Sequence, residues 1–207
     1  MKADESTEHY FSRSPAGPAQ ERTVTVSLAG QDVEVLTADG VFSGDGLDLG
    51  TRVLFREAPL PPPAGDLVDL GCGWGPIALT LALRSPGARV WAVDVNERAV
   101  QLTARNAARL GLKNVTACRP DQVPAGVQAA ALWSNPPIRI GKSALHELLE
   151  TWLSRLAPGA TGHLVVQRHL GADSLHRWLA ETLPAGFTVA RAGSAKGFRV
   201  LSVARTS

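Results

Sequence analysis

The chain has 207 residues, of which 44% are hydrophobic and 19% are charged. This composition fits a folded domain with its own core and excludes a disordered chain. No apolar run is long enough to cross a membrane, and the first residues, MKADESTEHYF, lack the apolar stretch of a secretion signal. The net charge of +2 does not by itself indicate a nucleic-acid partner.

The charge is unevenly distributed along the chain. Residues 1–50 carry 3 Lys or Arg against 9 Asp or Glu, whereas residues 139–207 carry 9 against 4. The basic C-terminal part could hold a polyanion or could be an ordinary Arg-rich surface. The two cysteines, Cys72 and Cys118, are too few for a disulfide framework, and no Cys/His cluster has zinc-ligand spacing. We therefore expect reduced thiols, no metal and a cytoplasmic protein.

The N-terminal part predicts a β-hairpin followed by a loop. Residues 23–37, TVTVSLAGQDVEVLT, alternate with period 2 around a Gly-Gln-Asp turn. The Gly-rich segment DGVFSGDGLDLGT then predicts a loop and a short helix, and whether residues 39–46 form a lid is open. The stretch APLPPPAGD at 58–66 predicts a stiff connection. We accordingly expect an N-terminal segment over residues 1–60 and the main domain over residues 61–207.

From residue 66 onward, short apolar strands alternate with helices. The strands are predicted in LVDL, RVWAVDV, VTACR, AAALWS, GHLVVQRH, FTVARAG and FRVLSVAR, and the helices in PIALTLALRS, NERAVQLTARNAARLGL, KSALHELLETWLSRL and ADSLHRWLAETL. Asn96 suits the N-cap of the second helix and Gly111 its end, while residues 157–159, Ala-Pro-Gly, are expected to end the third. This alternation predicts parallel βαβ units in a three-layer α/β domain.

A glycine-rich turn follows the first of these strands. The segment DLGCGWG lies between LVDL and a helix, where Gly71 and Gly73 permit a tight turn and a close approach of the backbone to a ligand. Asp94 ends the next strand, 19 residues after Gly75. A carboxylate there can accept both hydroxyls of a ribose, or it can cap the following helix. Asp121, after the third strand, could accept from an adenine amino group or simply lie in a turn.

Two prolines terminate the fourth strand. The segment SNPPIRIGK at 134–142 follows AAALWS, and neither Pro136 nor Pro137 can continue a central strand. The side-chain carbonyl of Asn135 and the backbone carbonyl of Pro136 can point into one cleft. There they would hold both hydrogens of a planar NH₂ group and direct its lone pair toward an electrophile. This corner favours the methyl group of S-adenosylmethionine over a dinucleotide cofactor.

Together these segments resemble the class I S-adenosylmethionine-dependent methyltransferases. More narrowly, they resemble the small methyltransferase-domain family that includes the 16S ribosomal RNA guanine-N2 methyltransferases. The matching segments are HYFSRSP at 9–15, DGVFSGDGLDLGT at 39–51, VDLGCGWGPIAL at 68–79, VDVNERAV at 93–100, ARNAARLG at 104–111 and SNPPIRIGK at 134–142. The resemblance implies S-adenosylmethionine as cofactor and a Rossmann-like fold, whose seven-stranded, mostly parallel sheet has an antiparallel last strand and an N-terminal β-hairpin extension.

The resemblance also implies roles for the matching positions. Those that would bind the cofactor, from its methionine part through its ribose to its adenine, are Asp69, Gly71, Cys72, Gly73, Gly75, Asp94, Val95, Asn96 and Asp121, together with Asn135. Those that would form the methyl-transfer motif are Asn135, Pro136, Pro137 and Ile138.

Three further residues are candidates for substrate binding. Arg139 and Lys142 follow the motif and could hold backbone phosphates, although Lys142 could equally be a solvated helix start. Many related amino-methyltransferases carry an aromatic residue where this chain has Ile138. Phe42, in the DGVFS loop, could supply an aromatic face for a flipped base instead, or could anchor the loop.

The implied activity is N-methylation of an exocyclic amino group in RNA, with guanine N2 of ribosomal RNA, or of the small ribosomal subunit, as the expected target. The guanine enzymes of this family resemble a duplicated domain, whereas this chain has the length of one, so the ribosomal target is open. Two alternatives stand beside this interpretation: a protein-glutamine methyltransferase, and a non-catalytic cofactor-binding RNA or assembly protein. No membrane partner is expected, and the sequence is compatible with a monomer or a homodimer.

Overall fold

A computed structural model describes residues 20–44 and 46–206 of the chain. The HYFSRSP segment at 9–15 lies outside the described residues, as does position 45 of the predicted loop. The large sheet has seven strands: β3 (Ala64–Leu70), β4 (Gly87–Val93), β5 (Val115–Cys118), β6 (Ala129–Ser134), β7 (Leu156–Gln167), β8 (Phe187–Ala195) and β9 (Phe198–Arg205). β1 (Glu21–Leu28) and β2 (Gln31–Ala38) form a separate two-stranded sheet.

The seven strands lie in the order β5-β4-β3-β6-β7-β9-β8. Neighbouring strands from β5 through to β7 are parallel, and β9 is antiparallel to both β7 and β8. The predicted seven-stranded sheet with an antiparallel last strand is therefore confirmed. The chain builds outward from β3 to β5 and then crosses to β6 on the other side of β3, which places the reversal of strand order at β3.

Within residues 20–44 and 46–206, five α-helices accompany the strands: α1 (Leu49–Glu57), α2 (Pro76–Arg84), α3 (Glu97–Arg109), α4 (Lys142–Leu153) and α5 (Ala172–Thr182). Alternate residues of the central strands belong to two hydrophobic clusters. Val68 and Leu132 pack with α4 and α5, whereas Leu67 and Trp133 pack with α1 and α2. Because both faces are covered, the buried residues of the central strands are mostly apolar, and the predicted three layers are confirmed.

The predicted hairpin consists of β1 (Glu21–Leu28) and β2 (Gln31–Ala38). Its turn is Ala29-Gly30, earlier than the predicted Gly-Gln-Asp turn, and both turn residues have positive φ, 51° and 86°. A two-residue turn of this kind matches the twist of a hairpin and favours glycine at its second position. The buried face of the hairpin packs with Trp74 and Leu102, so it shares a core with the glycine turn and α3. The boundary at residue 60 stays a prediction.

One predicted boundary is wrong. The segment Ala157-Pro158-Gly159 does not end α4, which finishes at Leu153; it lies within the long strand β7. β7 pairs Leu156 with Ala129 and next Thr161 with Ala131, so the residues between form an irregularity in the ladder. Gly159, at φ 78°, supplies the conformation that this irregularity needs, and the local Pro-Gly signal was therefore mistaken for a helix stop.

Two further observations concern partners. None of the helices in residues 20–44 and 46–206 is long and apolar enough to cross a membrane. In that same part of the chain, no group of three His, Cys, Asp or Glu side chains is arranged to hold a metal ion.

Candidate active site

A cavity of about 560 Å³ opens at the carboxyl ends of β3, β4, β6 and β7. Its walls combine the ends of these strands with the loop before α1, and its lining includes Phe42, Asp48, Leu49, Gly71, Asp94, Val95, Asn135, Pro136, Pro137, Ile138, Arg139, Gln167, Leu170 and Phe198. This is the edge of the sheet at which strand order reverses, where ligands bind in open α/β sheets.

The glycine turn between β3 and α2 forms the floor of the cavity. The backbone N–H groups of Gly71 and Cys72 both donate to the carbonyl of Val93, at 2.8 and 3.0 Å. Gly71, Gly73 and Gly75 all have positive φ, at 79°, 58° and 100°, which L side chains adopt only under strain. The turn therefore depends on its glycines for its conformation as well as for the space they leave.

Asp94 joins the glycine turn to the end of β4. Its Oδ2 accepts from the Gly73 N–H at 3.0 Å, and its Oδ1 accepts from the Asn96 N–H at 2.9 Å. Burial raises the pKa of Asp94, and the backbone hydrogen bonds oppose that shift. Each carboxylate oxygen has a second lone pair, so Asp94 can still accept from a ligand hydroxyl in the cavity that it lines.

Asp69 lies fully buried beneath the glycine turn. Its Oδ2 accepts from the Ala78 N–H at 2.9 Å, which fastens the first turn of α2 to the end of β3. Its Oδ1 is buried and has no hydrogen-bond partner among the described residues. Burial raises the pKa of Asp69 to about 8, and the nearby charge of Asp94 adds to the shift. An unsatisfied buried carboxylate oxygen is unusual and fits a site completed by a hydrogen-bond donor from a ligand.

The loop that precedes α1 covers the glycine turn. The Trp74 indole N–H donates to the Ser43 carbonyl at 3.2 Å, and the Asn96 amide donates to the Gly40 carbonyl at 3.1 Å. The Thr37 hydroxyl donates to the Gly44 carbonyl at 2.6 Å. These contacts hold Phe42 at the cavity, where it is 40% exposed.

Asn135 is held by the N-terminus of α1. Its side-chain Nδ2 donates to Asp48 Oδ2 at 2.8 Å and lies 3.2 Å from Thr51 Oγ1. Asp48 is also the N-cap of α1, since it accepts from the Thr51 N–H at 2.9 Å and the Thr51 hydroxyl at 2.8 Å. A carboxylate only accepts hydrogen bonds, so it fixes which end of the Asn135 amide is the nitrogen. The amide oxygen is thereby left for a donor in the cavity.

The two prolines shape the rest of the corner. The Pro136 carbonyl accepts from the Ile138 N–H at 2.8 Å, and Pro137 has φ −74° and ψ 75°, close to an inverse γ-turn. This bond uses one lone pair of the Pro136 carbonyl and leaves the other. The Ser134 hydroxyl donates to the Leu70 carbonyl at 2.6 Å, which ties the corner to the end of β3 beside the glycine turn.

Comparison with known proteins identifies the family. The family model described as the methyltransferase small domain matches residues 32–202. The chain belongs to the methyltransferase small domain family. The resemblance inferred from the sequence is thereby confirmed, and the cofactor of such methyltransferases is S-adenosylmethionine.

Two relatives of this methyltransferase domain differ in how much of their own length the chain spans. The chain is 34% identical to uncharacterized protein YbxB of Bacillus subtilis, over 84% of this chain and 89% of that protein. It is 33% identical to the ribosomal RNA small subunit methyltransferase C of Stutzerimonas stutzeri, over 77% of this chain but 53% of that enzyme. The chain thus spans nearly all of YbxB and about half of the methyltransferase C.

A solved structure shows the same fold. The Thermus thermophilus 16S rRNA N2 G1207 methyltransferase, in complex with AdoMet and guanosine, has a TM-score of 0.77 at 23% identity. The match covers 92% of this chain and 52% of that enzyme.

The structure brings together many of the residues that the sequence singled out. Those that line the cavity are Phe42, Gly71, Asp94, Val95, Asn135, Pro136, Pro137, Ile138 and Arg139. Asp69, Gly73 and Gly75 lie in or beneath the turn and shape it without lining the cavity.

Four other predicted residues do not line the cavity. Cys72 is buried beside Thr103, whose hydroxyl lies 3.5 Å from its sulfur, and burial raises the pKa of its thiol. The Asn96 side chain caps α3 by accepting from the Arg98 N–H at 3.0 Å. Asp121 is exposed and pairs with Arg119 at 3.0 Å. Lys142 is exposed at the start of α4. Ligand contacts by these four side chains stay predictions.

Several residues of the site were not predicted from the sequence. Asp48 and Thr51 were within a recognised segment, but their contact with Asn135 spans 87 and 84 residues of sequence and leaves no local signal. Gln167 is the last residue of β7 and Leu170 lies just beyond it, while Phe198 begins β9 opposite Gln167. Their position at the end of a parallel strand was the only signal that could have found Gln167 and Leu170.

Proposed function

We propose that the chain is an S-adenosylmethionine-dependent N-methyltransferase acting on an exocyclic amino group of RNA, with guanine N2 of ribosomal RNA as its target. The observation that carries this proposal is the orientation of the Asn135 amide, whose nitrogen is engaged by Asp48 and Thr51. Its oxygen is available to an amine in a cavity that adjoins the glycine turn. The ribosomal RNA methyltransferases among the relatives support RNA as the substrate class.

The residues around the glycine turn fit the cofactor. Asp94 lines the cavity and retains acceptor capacity for ribose hydroxyls. At Gly71, even an added Cβ would come no closer than 3.7 Å to any atom beyond its chain neighbours, so the backbone is open to close approach. When bound, S-adenosylmethionine supplies a methyl group on a positively charged sulfur, which needs no further activation.

The corner would hold the accepting amine. Asn135 Oδ1 and the second lone pair of the Pro136 carbonyl accept the two N–H groups, which directs the nitrogen lone pair across the glycine turn. Positive charge develops on the nitrogen as its bond to the methyl carbon forms and the carbon–sulfur bond breaks. The two carbonyl dipoles stabilise that charge, and the Asp48 carboxylate strengthens the effect by polarising the Asn135 amide. The surplus proton then leaves to water.

The apolar side chains of the cavity would receive the base. Among the described residues, the exposed large hydrophobic side chains are Phe42, Leu49, Leu60, Val95 and Leu170. All of them except Leu60 line the cavity. Such a concentration of exposed apolar surface at one opening marks a binding site. It suits the faces of an unstacked base better than a flexible glutamine side chain, because a base offers a larger flat apolar surface.

The direct test is methyl transfer from labelled S-adenosylmethionine to four substrates in parallel: naked ribosomal RNA, assembled small subunits, assembled large subunits and total protein. We expect label in RNA, recovered as N2-methylguanosine after digestion to nucleosides. An Asn135→Ala variant serves as the matched control, since it should bind the cofactor and leave the RNA unlabelled.

The other outcomes are equally informative. Label recovered only in protein, as methylglutamine, would replace the proposal with a glutamine methyltransferase. An unlabelled panel from a protein that binds S-adenosylmethionine in calorimetry would favour the non-catalytic alternative.

A further inference from the structure

In the described chain, most ion pairs of arginine with an acidic side chain lie in the N-terminal part. Six arginines before residue 122 form ion pairs with acidic side chains: Arg22, Arg56, Arg89, Arg105, Arg109 and Arg119. After residue 138, the only ion pairs between described residues join Asp173 to Arg191 and Arg199. The exposed cations of this region that pair with no described acid are Arg139, Lys142, Arg168, Arg177 and Lys196. Their charge is therefore not neutralised within the described chain.

Three of these unpaired cations and the two arginines that pair with Asp173 form a set that we call the basic flank: Arg168, Arg177, Arg191, Lys196 and Arg199. Arg168 begins the 3₁₀ turn that ends at Leu170, a cavity residue. The Arg168 N–H donates to the Gly197 carbonyl at 2.8 Å, so the β8–β9 turn that carries Lys196 lies next to it. Arg199 pairs with Val166 in the sheet, and its side chain contacts Asp173 of α5. The flank thus starts at the mouth of the cavity.

The far end of the flank is a surface cleft of about 620 Å³ between α5 and the β8–β9 strands. Its lining includes Arg177, Arg191, Arg199 and His176, with Asp173 and Glu181 as its acids. Asp173 contacts the guanidinium of Arg199 and lies 3.9 Å from Nη2 of Arg191. One carboxylate thereby holds two guanidinium groups side by side, which limits the entropy lost when they bind an anion.

We propose that the basic flank binds the phosphates of a single-stranded RNA segment whose target base enters the cavity; this inference rests on the proposed function. Guanidinium groups match phosphate oxygens in charge and geometry. The exposed large apolar side chains of the described residues lie at the cavity and at Leu60, and the flank has none. A membrane surface or a protein interface would need apolar anchors there, whereas a nucleic-acid backbone needs only charge.

The test is binding of a fluorescein-labelled 20-nucleotide single-stranded RNA of mixed sequence, followed by anisotropy across a series of salt concentrations. The flank variant is Arg168→Gln/Arg177→Gln/Lys196→Gln, which leaves the Asp173 pairs intact. The matched control is Arg89→Gln/Arg109→Gln/Lys113→Gln, which removes the same charge from exposed positions near the amino ends of β4 and β5, the edge of the sheet opposite the cavity. Each phosphate contact on a single strand contributes about 0.7 to the slope of log K against log salt. We expect the flank variant to lose about 2 from that slope and the control to lose far less.

Calorimetry with S-adenosylmethionine accompanies the RNA-binding series. It separates failure of the basic flank from failure of the proposed function. Unchanged cofactor affinity, with a reduced salt slope only in the flank variant, supports the basic flank. Equal slopes for the flank variant and the control would overturn the flank while the proposed function stands. A parent protein that binds S-adenosylmethionine but no RNA at low salt would overturn both. The single variant Arg177→Gln gives a second reading, with an expected loss of about 0.7.

Discussion

Replacing Asp48 with asparagine tests whether the N-terminus of α1 sets the orientation of the Asn135 amide. In the parent, Asp48 accepts from the Thr51 N–H, the Thr51 hydroxyl and the Asn135 amide, at 2.9, 2.8 and 2.8 Å. Asparagine caps helices as well as aspartate does, so we expect the free energy of unfolding to change by no more than about 1 kcal/mol. The substitution nevertheless places a donor where an acceptor faced Asn135.

The expected effect on catalysis follows from that reversal. With an NH₂ group opposite it, the Asn135 amide gains a hydrogen bond by rotating, and it then presents its own nitrogen to the cavity. The accepting amine would lose one hydrogen bond to an oxygen polarised by a carboxylate. A hydrogen bond involving a charged group contributes about 1.5–3 kcal/mol, which corresponds to a fall in kcat of about 10- to 100-fold.

The assay is steady-state methyl transfer to ribosomal RNA at saturating S-adenosylmethionine, with cofactor affinity measured separately by calorimetry. The matched control is Asp32→Asn, which makes the same chemical change at an exposed residue of the hairpin. A variant at Asp48 that retained the parental kcat while its cofactor affinity fell tenfold would refute the reasoning. Asp48 would then serve cofactor binding and not the corner.

Three further predictions concern the turn, the buried acid and the loop. Gly75→Ala should lower the free energy of unfolding in urea by about 1–3 kcal/mol. The control Gly111→Ala should lower it less, because a Cβ at Gly75 would lie 3.0 Å from Thr103 atoms whereas a Cβ at Gly111 would have no atom within 4 Å. Asp69 has a pKa of about 8 in the folded protein against an ordinary value of 3.8. Its protonated form therefore stabilises the fold fully below about pH 4, and this contribution is lost as the pH rises through 8. In chemical denaturation without cofactor, the free energy of unfolding should accordingly fall less between pH 5 and pH 9 for Asp69→Asn than for the parent. Phe42→Ala should raise the KM for RNA without changing kcat, and equal rates for variant and parent at subsaturating RNA would exclude base stacking by Phe42.

The fold was predictable because its signals are local. Buried parallel strands such as β6, with its run AAALW, are apolar on both faces, and cap residues such as Asn96 mark where the helices begin. The exception was Gly159, where a Pro-Gly pair lies inside the irregular pairing of β7 with β6. Only the partner strand shows that this signal belongs to a strand, so the sequence of the segment was insufficient.

The site was predictable where a ligand-binding group and its backbone are contiguous, as in the glycine turn and the Asn-Pro-Pro corner. It was not predictable where function depends on a distant contact. Asp48 reaches Asn135 across 87 residues, and the sheet order alone brings Gln167 to the same cavity. Asn96 combines both cases: its predicted N-cap role is confirmed, its tether to the covering loop was not predicted, and its contact with the cofactor stays a prediction.

The most direct test of the account is the rate of methyl transfer by Asn135→Ala at saturating S-adenosylmethionine, set against its cofactor affinity. Loss of a preorganised transition-state hydrogen bond predicts a fall of about 100-fold or more in kcat, with the cofactor dissociation constant nearly unchanged. A variant that binds the cofactor tenfold more weakly yet turns over normally at saturation would contradict the account, because Asn135 would then hold the cofactor and not the amine that accepts the methyl group.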